Sequence, residues 1–411
     1  MRRFLSIVGL EFYAVALAMM RFQQGLHTDE AKYLLNIPYP HPPLVRFILS
    51  LTKELPHQEL VWRIVFASLI VQAVWLVWYC TADRTLRRLL ACLWLTSPAV
   101  VLQSGSVMMA PLTGLSGFIF LVAAVRSQRI KAEKDTYLGK RQAFFLGLFW
   151  LASLFTAFQA VLFLPLVIAA FLRSSIARWK ATVYIVAPII VLALYAFTNP
   201  LAIASMGTAA TENGSLTLLA RGVNAVVLLV LGGGMVFGLV GLAGILVSRR
   251  IELLVTFFLV MSYCVLSYHD YYAILLTPLL LFGVFLVLQK RSKSTVIILA
   301  AVGIISSMLA IGFELSRSSG VHAVFPRAVI SQLQAVRPEL FDATVPKRTL
   351  LIVGPFGHDW QYESPFEVRK YTDKLRRTQA DVLVCLQACH DALKEGMLRI
   401  DQVQNAELYV R

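Results

Sequence analysis

Between Gly222 and Val247 the chain carries no charged side chain, and each of ten other apolar stretches carries at most one. A run of about twenty apolar residues can cross the roughly 30 Å hydrocarbon core of a bilayer as a helix, which satisfies its own backbone hydrogen bonds there. The expected spans are 4–20, 61–80, 89–104, 110–125, 142–156, 158–172, 181–198, 222–247, 252–268, 272–289 and 295–313, about eleven in all. Composition agrees: 58% of the 411 residues are hydrophobic and 15% charged, against roughly a quarter charged in a soluble domain. The expected fold class is therefore an α-helical polytopic membrane protein.

A net charge of +15 and a pI of 9.8 could point to nucleic acid. The placement of the charge argues against that partner. Basic residues gather at Arg2-Arg3, Arg84/Arg87/Arg88, Arg126 to Arg141, Arg173/Arg178/Lys180, Arg249-Arg250 and Lys290/Arg291/Lys293, while the alternate breaks nearly lack them. This is the positive-inside pattern, and it makes the basic breaks cytoplasmic. An odd number of spans then leaves the N-terminus cytoplasmic and the C-terminus outside. The first span lacks a small-x-small cleavage site and reads as an uncleaved anchor.

Around Glu314 the character changes. Residues 1–313 form the expected membrane domain, and 314–411 a small extracytoplasmic α/β domain in which "TLLIVGPFGHDW", "DVLVCLQACHDALKEG" and "AELYVR" read as short buried strands alternating with polar helices such as 363–377. "GPFG" at 354–357 lacks the Gly-Lys-Ser/Thr ending of a phosphate loop. Cys80, Cys92 and Cys264 lie in or beside spans as packing residues. Cys385 and Cys389 are either a disulfide or two free thiols; four residues apart on one helix they would pair awkwardly.

Four polar clusters share the outer face: the 21–60 loop, "SGSVMMAP" at 104–111, the 199–221 loop with a sequon at Asn213, and "SYHDYY" at 267–272. Carboxylates beside hydrocarbon mark sites or pathways. Asp29 and Glu30 are adjacent, so on a helix they point about 100° apart: one can face a reaction centre while the other binds a partner or caps. The plain alternative is a helix N-cap at Thr28 or Asp29. Pro40, Pro42 and Pro43 hold His41 on a stiff backbone, and 44–55 reads as an amphipathic interfacial helix carrying Arg46.

Asp29-Glu30 followed by His41-Pro42-Pro43-Leu44-x-Arg46 in a first outer loop resembles the dolichyl-phosphate-mannose protein mannosyltransferases. More broadly it is similar to the GT-C membrane glycosyltransferases, including the lipid A aminoarabinose transferases. "WLTSPAVVLQSGSVMMAPL" and "SYHDYYAILLTPLLL" are looser likenesses to later elements of the same enzymes. The resemblance implies a GT-C-like fold and a polyprenyl-phosphate sugar donor. It also implies transfer to a lipid, glycan or protein acceptor at the extracytoplasmic face of the plasma membrane, with membrane lipids as surroundings.

On that reading Asp29 and Glu30 are the catalytic carboxylates, with Asp29 the base. His41, Arg46, Arg221 and His269 bind the donor phosphate, and Asp270, Tyr271 and Tyr272 bind substrate. A divalent metal held by Glu30, His269 and Asp270 is an open alternative. Many relatives carry an Asp where this chain has Ala110 before Pro111. That departure keeps a second function open: a non-catalytic relative or a lipid-linked-sugar transporter.

Overall fold

Helices occupy the apolar runs, and a small sheet follows them. The structure, a computed structural model, describes residues 2–38, 40–133, 139–204, 217–289, 291–320, 326–342, 348–354, 356–371, 380–387, 389, 391–394, 396–403 and 406–411. The sequon at Asn213 lies outside them. The chain divides into two units: Met1–Arg21 with Pro38–Phe313, and Phe22–Ile37 with Glu314–Arg411. The 21–60 loop is thus split, and the segment holding Asp29 and Glu30 belongs to the same unit as the tail.

In the membrane unit six helices are long and apolar enough to cross a bilayer: Gln58–Cys80, Met109–Ser127, Arg178–Thr198, Leu218–Val247, Asp270–Leu288 and Lys293–Ser316. Phe158–Leu172 and Ile251–Leu266 are shorter apolar helices. The expected number of eleven is not established by these lengths. The segment expected at 89–104 is two helices, Arg84–Thr96 and Pro98–Gln103, because Pro98 has no N–H with which to continue the first. The helix Leu218–Val247 breaks at Gly234, whose φ of 73° favours glycine; a side chain there would also strike the Ser307 hydroxyl. The Ser97 hydroxyl donates to the Gly232 carbonyl at 2.9 Å, supplying a partner to backbone beside that break.

The other unit is an α/β layer. Its sheet has the order β2-β1-β3-β5-β4, with β1 Thr349–Val353, β2 Glu367–Lys370, β3 Val382–Cys385, β4 Leu398–Val403 and β5 Ala406–Val410. Strand β1 runs parallel to β2 and β3, while β5 pairs antiparallel with β3 and β4. Alternation sends Leu350 and Ile352 to one face, packed on Val329 and Leu333, and Leu351 to the other with Leu383 and Tyr409.

The polar helix expected over 363–377 is a correction. Residues 367–370 are strand β2, and 372–379 lie outside the described residues. The exposed edge of β1 offers backbone partners that outweigh the helix propensity of Glu367, Arg369 and Lys370, and a charged edge strand resists further pairing. Cys385 and Cys389 form a disulfide with Cα atoms 5.7 Å apart. They are not on one helix: Cys385 ends β3 and Cys389 follows in the next loop.

Candidate active site

The segment "HTDEAKYL" makes a helix, Thr28–Leu34, by local chemistry. His27 is its N-cap in extended backbone, and its ring Nδ1 accepts from the Asp29 N–H at 3.3 Å. Glu30 closes the capping box by accepting from the His27 N–H at 2.9 Å. Ala31, Tyr33 and Leu34 are buried, and the two carboxylates sit in the first turn, where the helix dipole favours them. The cap is therefore neither Thr28 nor Asp29.

Glu30 is fully buried in this role, whereas the Asp29 side chain is 18% exposed and meets Lys32 at 2.9 Å. His27 Nδ1 lies 3.9 Å from the other Asp29 oxygen. The two neighbouring carboxylates have separate tasks. Glu30 holds the helix start, and Asp29 is half-buried in an ion pair with Lys32.

In the membrane unit, Pro43 precedes the helix Leu44–Ser50, which buries Val45 and Leu49 and carries Arg46 half-buried. The helix is shorter than the expected 44–55, ending in turns after Ser50. The His41 ring lies 6.4 Å from that of Phe158, in the 3-10 turn Phe158–Phe163. The next residue, Gln159, donates to the Tyr263 hydroxyl at 2.6 Å and to the Tyr272 hydroxyl at 3.3 Å, and Tyr263 donates to Tyr272 at 3.0 Å.

His269 stacks on Tyr271 with ring centres 4.9 Å apart and 5° between planes, and Tyr271 meets Tyr272 edge-on at 4.7 Å. Tyr272 is buried, whereas Asp270 and Tyr271 are half-buried and His269 is exposed. Arg221 lies in the first turn of Leu218–Val247, which packs on the Asp270–Tyr272 turn. One 3-10 turn thus joins the His-Pro-Pro segment to the "SYHDYY" segment, through Phe158 on one side and Gln159 on the other. An apolar groove of about 420 Å³ is lined by Pro43, Leu44 and Phe47 from the His-Pro-Pro segment and its helix, and by Leu148, Leu151 and Phe155.

Sequence reasoning missed several of these groups. Gln159 sits in an apolar run and shows no pattern. Arg63 is fully buried: its Nε donates to Glu59 at 2.7 Å and a terminal nitrogen to the Gly105 carbonyl at 2.8 Å. The turn before Ala110 is thus held by a carboxylate–guanidinium pair from the helix Gln58–Cys80. Glu59 was legible only as an ordinary charge near a span end. Among the described residues no group of three or more His, Cys, Asp or Glu could hold a metal ion. Glu30 already uses a carboxylate oxygen on the cap. Glu30 belongs to one unit and His269 and Asp270 to the other, and no step below is derived through a metal.

No family model matches the sequence, and no curated protein sequence matches it. Folds are conserved where sequences are not. ArnT from Cupriavidus metallidurans, in a crystal structure bound to undecaprenyl phosphate, aligns with a TM-score of 0.63 over 98% of this chain and 97% of its own, at 10% identity. The oligosaccharyltransferase of Archaeoglobus fulgidus, in a complex with zinc and sulfate, aligns with a TM-score of 0.51 over 92% of this chain and 67% of its own, at 12% identity. The chain has the GT-C fold. Coverage of 98% means that the α/β tail belongs to this likeness as well as the helices.

Proposed function

We propose that this chain is a membrane glycosyltransferase that moves a sugar from a polyprenyl-phosphate donor to a lipid, glycan or protein acceptor on the extracytoplasmic face. The observation that carries the reading is the GT-C fold along 98% of the chain, shared with a protein crystallised with undecaprenyl phosphate. The residues support it in detail. A lipid phosphate leaves a sugar without a general acid, so the site needs a base for the acceptor and positive charge for the leaving group. Asp29 takes the acceptor's hydroxyl proton as that oxygen bonds to the anomeric carbon. The bond from carbon to phosphate oxygen breaks, and the lipid phosphate departs with the electron pair.

His41, Arg46, Arg221 and His269 meet that phosphate, Arg through its planar fork and His as a donor. Asp270, Tyr271 and Tyr272 face the sugar, with the His269–Tyr271 stack as the exposed ring surface and buried Tyr272 supporting it. The groove between Phe47 and Phe155 suits an isoprenoid chain.

The second reading, a non-catalytic relative or carrier of lipid-linked sugar, rests on Ala110, which is buried at 1% exposure where relatives place a carboxylate. The experiment that separates the two supplies purified full-length protein with undecaprenyl-phosphate-linked aminoarabinose, mannose and glucose and a crude membrane-lipid acceptor. Release of undecaprenyl phosphate that depends on acceptor is expected from one donor. Binding of donor without release from any would favour the carrier.

A further inference from the structure

The sequence "GPFG" follows β1, the strand with parallel neighbours on both sides, where an open α/β sheet usually receives its ligand. Here the chain itself fills that place. A Cβ on Gly357 would collide with the Thr28 hydroxyl and the Asp359 carboxylate, so a glycine is required for Thr28 to approach. The Thr28 hydroxyl donates to Asp359 Oδ1 at 3.1 Å. Asp359 lies near the start of the short helix His358–Glu363, and Glu363 ends it.

That last residue braces a second tie. Glu363 takes Arg327 in a bidentate pair, from Nε at 3.1 Å and a terminal nitrogen at 2.6 Å. The remaining terminal nitrogen of Arg327 donates to the Phe22 carbonyl at 2.6 Å, and its guanidinium lies 4.3 Å from the Phe22 ring centre. One six-residue helix therefore governs both Phe22, where the loop begins, and Thr28, the residue before Asp29.

We propose that His358–Glu363 is a positioning clamp: Asp359, and Arg327 braced by Glu363, hold the segment Phe22–Leu34 and with it the orientation of Asp29. Where it concerns turnover this rests on the glycosyltransferase reading. The need is physical. The carboxylate helix has seven residues, far below the length at which an isolated helix is stable in water, so its order must come from what it packs on. A base displaced by about 1 Å can lose roughly a hundredfold in rate, without any change in the donor's phosphate contacts. Asp359 and Arg327 are positioning residues.

The test uses the full-length protein in lipid nanodiscs with Asp359→Ala, Arg327→Met, and the conservative pair Asp359→Asn and Thr28→Val. Amide hydrogen exchange over residues 22–34 should rise by about tenfold in the first two and in Thr28→Val, with β1 and β3 unchanged. Asp359→Asn keeps an acceptor for Thr28 and should restore near wild-type protection. Release of undecaprenyl phosphate should fall roughly ten- to a hundredfold in kcat, with the donor KM within about twofold. Should Asp359→Ala or Arg327→Met also loosen β1 and β3, Thr28→Val, which deletes one hydroxyl, decides the matter.

Unchanged exchange over residues 22–34 overturns the clamp. Faster exchange with unchanged kcat shows a docked loop that positions nothing catalytic, and overturns it too. Wild-type protein inactive on every donor defeats the glycosyltransferase reading instead, while the exchange data still decide whether the clamp exists.

Discussion

Asp29 and Glu30 differ by one residue, yet the helix gives them opposite surroundings. Glu30 is enclosed and bonded to the His27 backbone, and Asp29 is half-buried and paired with Lys32. Asp29→Asn should therefore leave folding intact, because the cap does not use it, and lower turnover by roughly 10²- to 10⁴-fold through loss of the base. Glu30→Ala should do the reverse in the first instance, costing about 1 kcal/mol of stability through the broken capping box. Glu30→Gln, which can still cap, should recover most of that. Apparent melting temperature and donor turnover, measured on all three at matched expression, check the division. Full turnover in Asp29→Asn would remove Asp29 as the base. The carboxylates were legible in the sequence; which of them caps was not. Thr and Asp are better intrinsic caps than His, but the Thr28 hydroxyl is taken by Asp359, a partner 331 positions away that no local pattern reports.

At the scale of elements, hydropathy located helices well because a membrane-spanning segment announces itself by composition, whereas the joints between helices depend on single residues. Pro98 and Gly234 break helices that an apolar average runs through, and Glu367–Lys370 is a strand because β1 lies beside it. The Glu59–Arg63 pair is another such joint, tying the helix Gln58–Gln72 to the turn at Gly105. A buried ion pair is dear to break and cheap to replace whole, since removing one partner leaves an enclosed charge without its counter-charge. Arg63→Met should thus destabilise the membrane unit by about 3–5 kcal/mol, while Glu59→Leu with Arg63→Met should regain much of the loss. Thermal unfolding of the single and double variants in one detergent measures it. Equal destabilisation by both would mean that Arg63 matters for the Gly105 carbonyl alone.

For the whole molecule, the sequence pattern reached the fold class and the resemblance reached the GT-C fold, but not the way in which the segment Phe22–Ile37 joins the tail. That union is made by Phe22, Thr28, Arg327, Asp359 and Glu363, residues ordinary in type and far apart in sequence. The compartment of the unit they form is open to a test independent of activity. We propose from the basic-break alternation that the tail lies outside, where thiols oxidise, and the Cys385–Cys389 bond suits an oxidising compartment. Of five cysteines, Cys80, Cys92 and Cys264 are not in the disulfide. Protein denatured without reductant should therefore titrate three thiols, and five after reduction. In a background with Cys92→Ser, Ser364→Cys should react with an impermeant maleimide on intact cells, and Arg178→Cys, in a basic break, only after permeabilisation. Five thiols before reduction, together with protection of position 364 until the cells are opened, would place the tail in the cytoplasm. Asp29, which shares a unit with that tail, would then be on the wrong side of the membrane for an extracytoplasmic transfer.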